Sequence, residues 1–162
     1  MRPIALLGFM GSGKTTAGRA LAERLDLDFT DLDTEIEESA GMTVAEIFER
    51  EGEPAFRRLE GAHLGDVLLP NSVVALGGGT VVDDRNWALV RAHARSIWLD
   101  APAAALWDRV GDMRGRPLVS DRLSFEALLA ARRSRYAQAD IRVDASRPFD
   151  EVVEQLVTLC RK

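Results

Sequence analysis

Lysine is almost missing from this 162-residue chain: of 21 basic residues only Lys14 and Lys162 are lysine, and the rest are arginine. One of the two sits inside a glycine-rich loop. A tight phosphate nest wants a compact point charge, and arginine's planar fork is larger and differently shaped. Cysteine is scarcer still. Cys160 stands alone, so an internal disulfide and a cysteine-pair metal site are both excluded. Long apolar runs are absent, and no window approaches the length of a membrane span. The opening Met1-Arg2-Pro3-Ile4-Ala5-Leu6-Leu7-Gly8 has too short an apolar run for a secretory signal. Repeats, linkers and low-complexity tracts are missing too. So is a surplus of positive charge: the formal net charge is −5. An acidic surface argues against nonspecific binding to nucleic acid or anionic membrane. Together these absences predict a cytoplasmic protein with no nucleic-acid or membrane partner. Small size and acidity predict a monomer.

What is present is an ordinary globular balance, 46% hydrophobic and 29% charged, enough for one core in one domain spanning 1–162. Strand-like and helix-like segments alternate. Strands are expected at Ile4–Leu7, Asp28–Asp31, Ser72–Leu76, Ser96–Leu99 and Ile141–Val143. Helices are expected from Lys14 to about Leu25, with Ala17, Ala20, Leu21 and Leu25 on one face, and from the Thr43-Val44-Ala45-Glu46 capping box to Arg50. Others run over Glu53 to Leu69, Asp84 to Ala92, Ser124 to Gln138 and Pro148 to Cys160. Gly111 to Arg122 reads as a mobile loop. Such alternation favours a parallel sheet covered on both faces, with ligands at the carboxyl ends of the strands.

Gly8-Phe9-Met10-Gly11-Ser12-Gly13-Lys14-Thr15 fits Gly-x-x-x-x-Gly-Lys-Thr, and it follows a strand and opens a helix, the context this motif needs. Its backbone N–H groups can cradle phosphate oxygens at a positive helix end. Lys14 would bridge the β- and γ-phosphates, and Thr15 would offer its hydroxyl to Mg²⁺. The dinucleotide fingerprint Gly-x-Gly-x-x-Gly is not matched. Asn-Lys-x-Asp, which a switch GTPase uses to read guanine, is also absent. Ile97-Trp98-Leu99-Asp100 imitates the acidic strand end of a mechanical ATPase, but Asp100 reads better as a helix cap ahead of Pro102.

Asp31 and Asp33 flank Leu32 just past the second strand. Two carboxylates near a phosphate loop can divide the labour, one holding Mg²⁺ and one accepting a proton from an attacking hydroxyl. Asp31, Asp33, Glu35 and Glu37 could equally be the acidic start of a helix. Gly77-Gly78-Gly79 follows an apolar strand and would let backbone N–H groups approach a ligand closely. Arg57, Arg116 and Arg135 are candidate anion binders, but no spacing argument selects them from the other arginines.

These residues resemble the shikimate kinase family over nearly the whole chain. The markers are Gly8–Thr15, Asp31-Leu32-Asp33, Phe56-Arg57-Arg58-Leu59-Glu60, Leu76-Gly77-Gly78-Gly79, Gly115-Arg116-Pro117-Leu118, and Arg132-x-x-Arg135-Tyr136 with Ala139. The resemblance implies a three-layer P-loop NTPase fold with a five-stranded parallel sheet. It adds a helical substrate-binding region at about 34–60 and a lid at about 112–122. It implies transfer of the γ-phosphate of ATP to the 3-hydroxyl of shikimate, with Mg²⁺. Lys14, Asp33 and Arg116 would be catalytic. Asp33, Arg57, Gly78, Gly79 and Arg135 would bind shikimate, the arginines at its carboxylate. Thr15 and Asp31 would serve the metal. Gly11, Ser12, Gly13, Lys14, Thr15, Thr16 and Arg116 would hold the phosphates, with Arg109 against adenine and Arg147 or Pro148 bordering it. The alternatives are a kinase for another small polyol acid, such as gluconate, and a nucleotide-dependent module without kinase activity. Lys14, Asp33 and Arg116 argue against the last, which needs neither base nor lid arginine.

Overall fold

β1 (Ile4–Leu7) lies at the centre of the molecule, and all four of its residues are buried. Its side chains alternate between two apolar clusters, as the two-residue period of a strand dictates. Ile4 and Leu6 pack with Leu21, Val153 and Leu156, while Ala5 and Leu7 pack with Leu64, Trp87 and Leu106. Burying each such leucine contributes roughly 1.5–3 kcal/mol. A strand buried on both faces must be covered by helices on both, and this one is.

The computed structural model describes residues 1–111 and 119–161. Residues 112–118 of the predicted lid, Arg116 among them, lie outside the described residues. Four further strands join β1 in one parallel sheet: β2 (Asp28–Asp31), β3 (Ser72–Ala75), β4 (Arg95–Asp100) and β5 (Ile141–Asp144). Their order is β2-β3-β1-β4-β5, with Leu6 opposite Ala75 on one side and Ile97 on the other. α1 (Lys14–Leu25) and α8 (Phe149–Cys160) supply one cluster. The other cluster takes side chains from α2 (Leu32–Ala40), α3 (Val44–Glu51), α4 (Glu53–Val67), α5 (Asp84–His93), α6 (Ala103–Val110) and α7 (Arg122–Tyr136). Among the described residues, no helix is long and apolar enough to cross a membrane.

This topology places the site. β1 feeds α1 on one face, whereas its neighbour β3 feeds a 3-10 turn (Thr80–Val82) and α5 on the other. Adjacent strands whose connections leave to opposite faces open a crevice at their carboxyl ends. The phosphate loop and the triple glycine are the residues that follow these two strands.

The expected five-stranded parallel sheet is present, and the element ends match closely. The predicted capping box is made: the Thr43 hydroxyl accepts from the Glu46 N–H at 3.1 Å, and the Glu46 carboxylate accepts from the Thr43 N–H at 3.0 Å. α4 stops at Val67, ahead of Pro70, which cannot continue a helix. α7 starts at Arg122, two residues before the expected Ser124, because Asp121 caps it through the Ser124 N–H. The Asp100 cap is overturned. Pro102 occupies the N-cap of α6 with no side-chain bond, and Asp100 is 7% exposed. Its two oxygens pair instead with Arg133 Nη1 at 2.7 Å and Arg142 Nη2 at 2.5 Å. The carboxylate ties β4 to α7 and β5, and does not line the cleft described next.

Candidate active site

A cleft of about 690 Å³ opens above β1 and β3. One end is the phosphate loop. Gly11 has φ +82°, and a Cβ there would stand 2.9 Å from the Leu106 carbonyl oxygen, so only glycine passes this point. Lys14 folds back over the loop, its Nζ donating to the carbonyls of Gly8 at 2.8 Å and Phe9 at 3.1 Å. Gly11, Gly13, Lys14, Thr15, Thr16 and Arg109 all line the cleft. Ser12 does not. It is 3% exposed beneath the loop, so any contact it gives a ligand comes from its backbone. Arg109 crosses the loop's rim, donating to Ala145 O at 2.6 Å and Gly11 O at 3.4 Å.

Asp31 is the N-cap of α2 and also reaches the phosphate loop. Its Oδ1 caps α2, accepting from the N–H groups of Asp33 at 3.0 Å and Thr34 at 3.3 Å. Its Oδ2 accepts the Thr15 hydroxyl at 2.5 Å. The helix cap therefore pins one oxygen and aims the other at the phosphate loop. An alcohol and a carboxylate oxygen are hard donors, a set that fits Mg²⁺, which binds few protein groups and completes its shell with phosphate and water.

Asp33, two residues further on, also lines the cleft. Its Oδ1 is buried with no hydrogen-bond partner among the described residues. Burial is the main reason its carboxyl is pushed up to about 6. Asp31 and Glu60 raise it further, Lys14 pulls it down and Glu37 adds a small increase. A carboxylate with a pKa near neutrality is a better proton acceptor than an ordinary surface aspartate.

The far end of the cleft is cationic. Arg57, on α4, donates through Nη1 to Glu60 Oε1 at 2.9 Å and lies 3.4 Å from Glu53 Oε1. Glu60 is fully buried, and its other oxygen accepts the Thr80 hydroxyl at 2.7 Å. The triple glycine explains itself here by close approach. A Cβ on Gly77 would lie 2.9 Å from Asp33 Oδ1, and one on Gly79 would lie 2.6 Å from Arg57 Nη2. The backbone can lie against the two charged groups only because those side chains are absent.

Two residues expected at the site lie outside this cleft. Arg135 does not reach the cleft; it ion-pairs with Asp84 on α5. The arginine that lines the cleft is Arg132, 7% exposed, with Nη1 3.1 Å from where a Gly78 Cβ would be. The reason is helical geometry. Tyr136 is buried and donates its phenol hydrogen to Gly78 O. Residue 132 is four before it and shares its face, whereas residue 135 is turned about 100° away. The same spacing rule would have found Arg132, and it would have found Glu60, three residues after Arg57. Arg147 also lies apart: it is exposed, pairs with Glu151 at 3.5 Å, and does not line the cleft. Arg116 lies outside the described residues. Burial holds the Tyr136 phenol up at about 12, against the opposing pull of Arg132 and then Arg57, so it remains a donor.

The cleft thus offers a phosphate cradle with a lysine, a hydroxyl–carboxylate pair suited to a hard cation, one carboxylate of raised pKa, and two arginines opposite. This arrangement can hold a nucleoside triphosphate against a small acid that bears a hydroxyl. The comparisons agree. A family model described as shikimate kinase matches residues 10–161. A shikimate kinase from Gloeobacter violaceus is 49% identical over 146 residues, 87% of this chain and 82% of its own length. The solved structure of a shikimate kinase from Acinetobacter baumannii in complex with shikimate superposes with a TM-score of 0.94 at 30% identity, covering 99% of this chain and 93% of that one. A gluconokinase from Sinorhizobium meliloti superposes with a TM-score of 0.62 at 18% identity, covering 99% and 92%, a likeness of fold alone.

Proposed function

The chain belongs to the shikimate kinase family, and from that premise we propose that its cleft transfers the γ-phosphoryl group of ATP to the 3-hydroxyl of shikimate. One observation carries the proposal: the phosphate loop and the Asp33, Arg57, Arg132 wall line one cleft. Gluconate as acceptor is the weaker alternative, since the gluconokinase shares only the fold.

The residues divide the work as follows. The backbone N–H groups of the loop and the start of α1 bind the phosphates, with Lys14 on the transferring group. Thr15 and Asp31 would hold Mg²⁺, which when bound neutralises charge on the β- and γ-phosphate oxygens. Arg57 and Arg132 hold the acceptor carboxylate. This assignment replaces Arg135, whose guanidinium is committed to Asp84. Glu60 fixes the Arg57 fork, and Gly78 and Gly79 let the acceptor lie against the backbone. Asp33 accepts the proton of the attacking hydroxyl and aligns its oxygen with the phosphorus. Phosphoryl transfer asks mainly for such positioning and charge neutralisation. Arg116, assigned from the resemblance, would add a second cation at the transferring group. Arg109 would border the adenine.

Incubation with ATP, Mg²⁺ and shikimate tests the proposal directly. Shikimate 3-phosphate should form in step with ADP, and gluconate or quinate should not replace shikimate. ADP release at one rate with and without every acceptor would remove the kinase reading.

A further inference from the structure

Phe9 occupies one of the unspecified positions of the phosphate loop, and nothing in phosphate binding asks for a phenyl ring there. The ring is nevertheless 1% exposed. It meets Phe125 edge-on at 4.9 Å between centroids, and Phe125 meets Trp107 in the same way at 5.2 Å. Three aromatic residues from the loop, α7 and α6 therefore hold one another in place.

Arg132 rests on this assembly. Its guanidinium carbon lies 5.6 Å from the centroid of the Phe9 ring. Arg57, Arg133 and Arg135 all have carboxylate partners. Among the described residues none is paired with Arg132, although it is 7% exposed. A guanidinium taken out of water without a counter-charge is costly. The negative face of an aromatic ring is a partial substitute, and it also fixes the cation in space.

We propose that Phe9 is a positioning residue for the acceptor: its ring holds the Arg132 guanidinium against the cleft wall and ties the phosphate loop to acceptor binding. The inference rests on the assignment of the acceptor carboxylate to Arg57 and Arg132. It adds a direction of influence. Lys14 Nζ is bonded to the carbonyl of Phe9 itself, at 3.1 Å. A nucleotide that draws Lys14 onto its phosphates acts on the peptide that carries the ring, and so on Arg132. Coupling through one shared element is reciprocal: nucleotide and acceptor each change the other's affinity by the same factor.

Titration calorimetry with shikimate, with and without MgADP, tests this on four proteins: wild type, Phe9→Leu, Arg132→Lys and the double variant. Phe9→Leu should raise the shikimate dissociation constant about three- to tenfold, the range of a partly desolvated cation–π contact. It should also reduce the difference that MgADP makes, while the MgADP affinity of the shikimate-free protein moves less than about twofold. In the Arg132→Lys background the same change should cost little more, because its intermediary is already altered. If Phe9→Leu does not fold, Phe9→Met fills the site with a flexible side chain of similar size and is measured instead. An unchanged shikimate affinity, or a loss that adds in full to that of Arg132→Lys, overturns the proposal. If Arg132→Lys itself leaves shikimate binding untouched, it is the acceptor assignment that falls, and the two failures are told apart.

Discussion

Replacing Asp33 by asparagine should make the protein more stable while stopping it from working. The carboxyl of Asp33 is raised from 3.8 to about 6, chiefly by burial and then by Asp31 and Glu60. Below pH 3.8 both folded and unfolded chains hold the proton, and the group adds no pH-dependent penalty. Between 3.8 and 6 the unfolded chain loses its proton first, so stability falls as pH rises. Above 6 both states are ionised and the penalty is complete. A shift of about two units corresponds to about 3 kcal/mol against the folded state at pH 7. The neutral amide has the same shape, removes that charge, and can donate to the acidic groups that crowd it. Asp33→Asn should therefore gain up to about 3 kcal/mol at pH 7, or roughly 6–12 °C in Tm for a chain of this size. The gain should fade to nothing as pH falls from 6 to below 4. Urea unfolding of both proteins across pH 3.5 to 7.5, without nucleotide, measures the difference directly, and titrations common to both cancel. Turnover should drop by several orders of magnitude in the same variant. A variant no more stable than wild type at pH 7, or a gain independent of pH, would refute the claim that Asp33 is held as a destabilised base.

Other outcomes follow from single contacts. Arg132→Ala should weaken shikimate binding by roughly 2–5 kcal/mol, the cost of removing one partner of a buried charge pair. Arg135→Ala should change it less than about threefold, because Arg135 faces Asp84; binding titrations of the two variants decide between them. Glu60→Gln keeps the bond to the Thr80 hydroxyl but weakens the grip on Arg57. It should raise the KM for shikimate about tenfold, the loss of one charge-assisted bond, while the KM for ATP stays put. Asp100→Asn should cost about 2–4 kcal/mol by chemical denaturation, less than for a fully buried pair because Arg133 and Arg142 reach water. It should leave the Mg²⁺ dependence of the reaction unchanged, as expected of a carboxylate outside the cleft.

The features legible in the sequence were those whose causes are local. The phosphate loop is a run of eight residues with its strand and helix attached, and the structure has all three in place. The Thr43–Glu46 capping box needs only a three-residue spacing, and it too was found. What stayed hidden depends on partners distant in sequence. Asp100 looked like a cap because Pro102 follows it, yet its partners are Arg133 and Arg142, which only the packing of α7 and β5 brings close. Arg135 was preferred over Arg132 by its place in a motif, although helical periodicity relative to Tyr136 points the other way. The raised pKa of Asp33 comes first from burial, which only the folded cleft supplies, then from Asp31 and from Glu60, which lies 27 residues away in the chain and meets it across Gly77. A one-dimensional motif marks which residues matter sooner than it marks which way they face.

The two acceptor arginines illustrate the point, because they bear opposite relations to the fold. Arg57 is already neutralised: Glu60 and Glu53 hold it, and Glu60 has no exposed surface. Removing Arg57 strands a buried carboxylate, so Arg57→Ala should destabilise the ligand-free protein by about 2–4 kcal/mol, somewhat under the value for a fully buried pair. Arg132 has a ring and a phenol beside it but no carboxylate among the described residues. Removing it strands nothing and relieves a buried charge, so Arg132→Ala should cost the ligand-free protein at most about 1 kcal/mol, for its packing and its contact with Phe9. The order reverses when shikimate is added. At a fixed shikimate concentration the stability gained grows with the logarithm of concentration over dissociation constant, and the charge the acceptor neutralises is mainly that of Arg132, since Glu60 already answers Arg57. Thermal unfolding with and without saturating shikimate should show Arg57→Ala with the lower starting Tm and Arg132→Ala with the smaller ligand-induced rise. Equal starting stabilities would contradict the role given to Glu60, and an intact ligand-induced rise in Arg132→Ala would contradict the role given to Arg132.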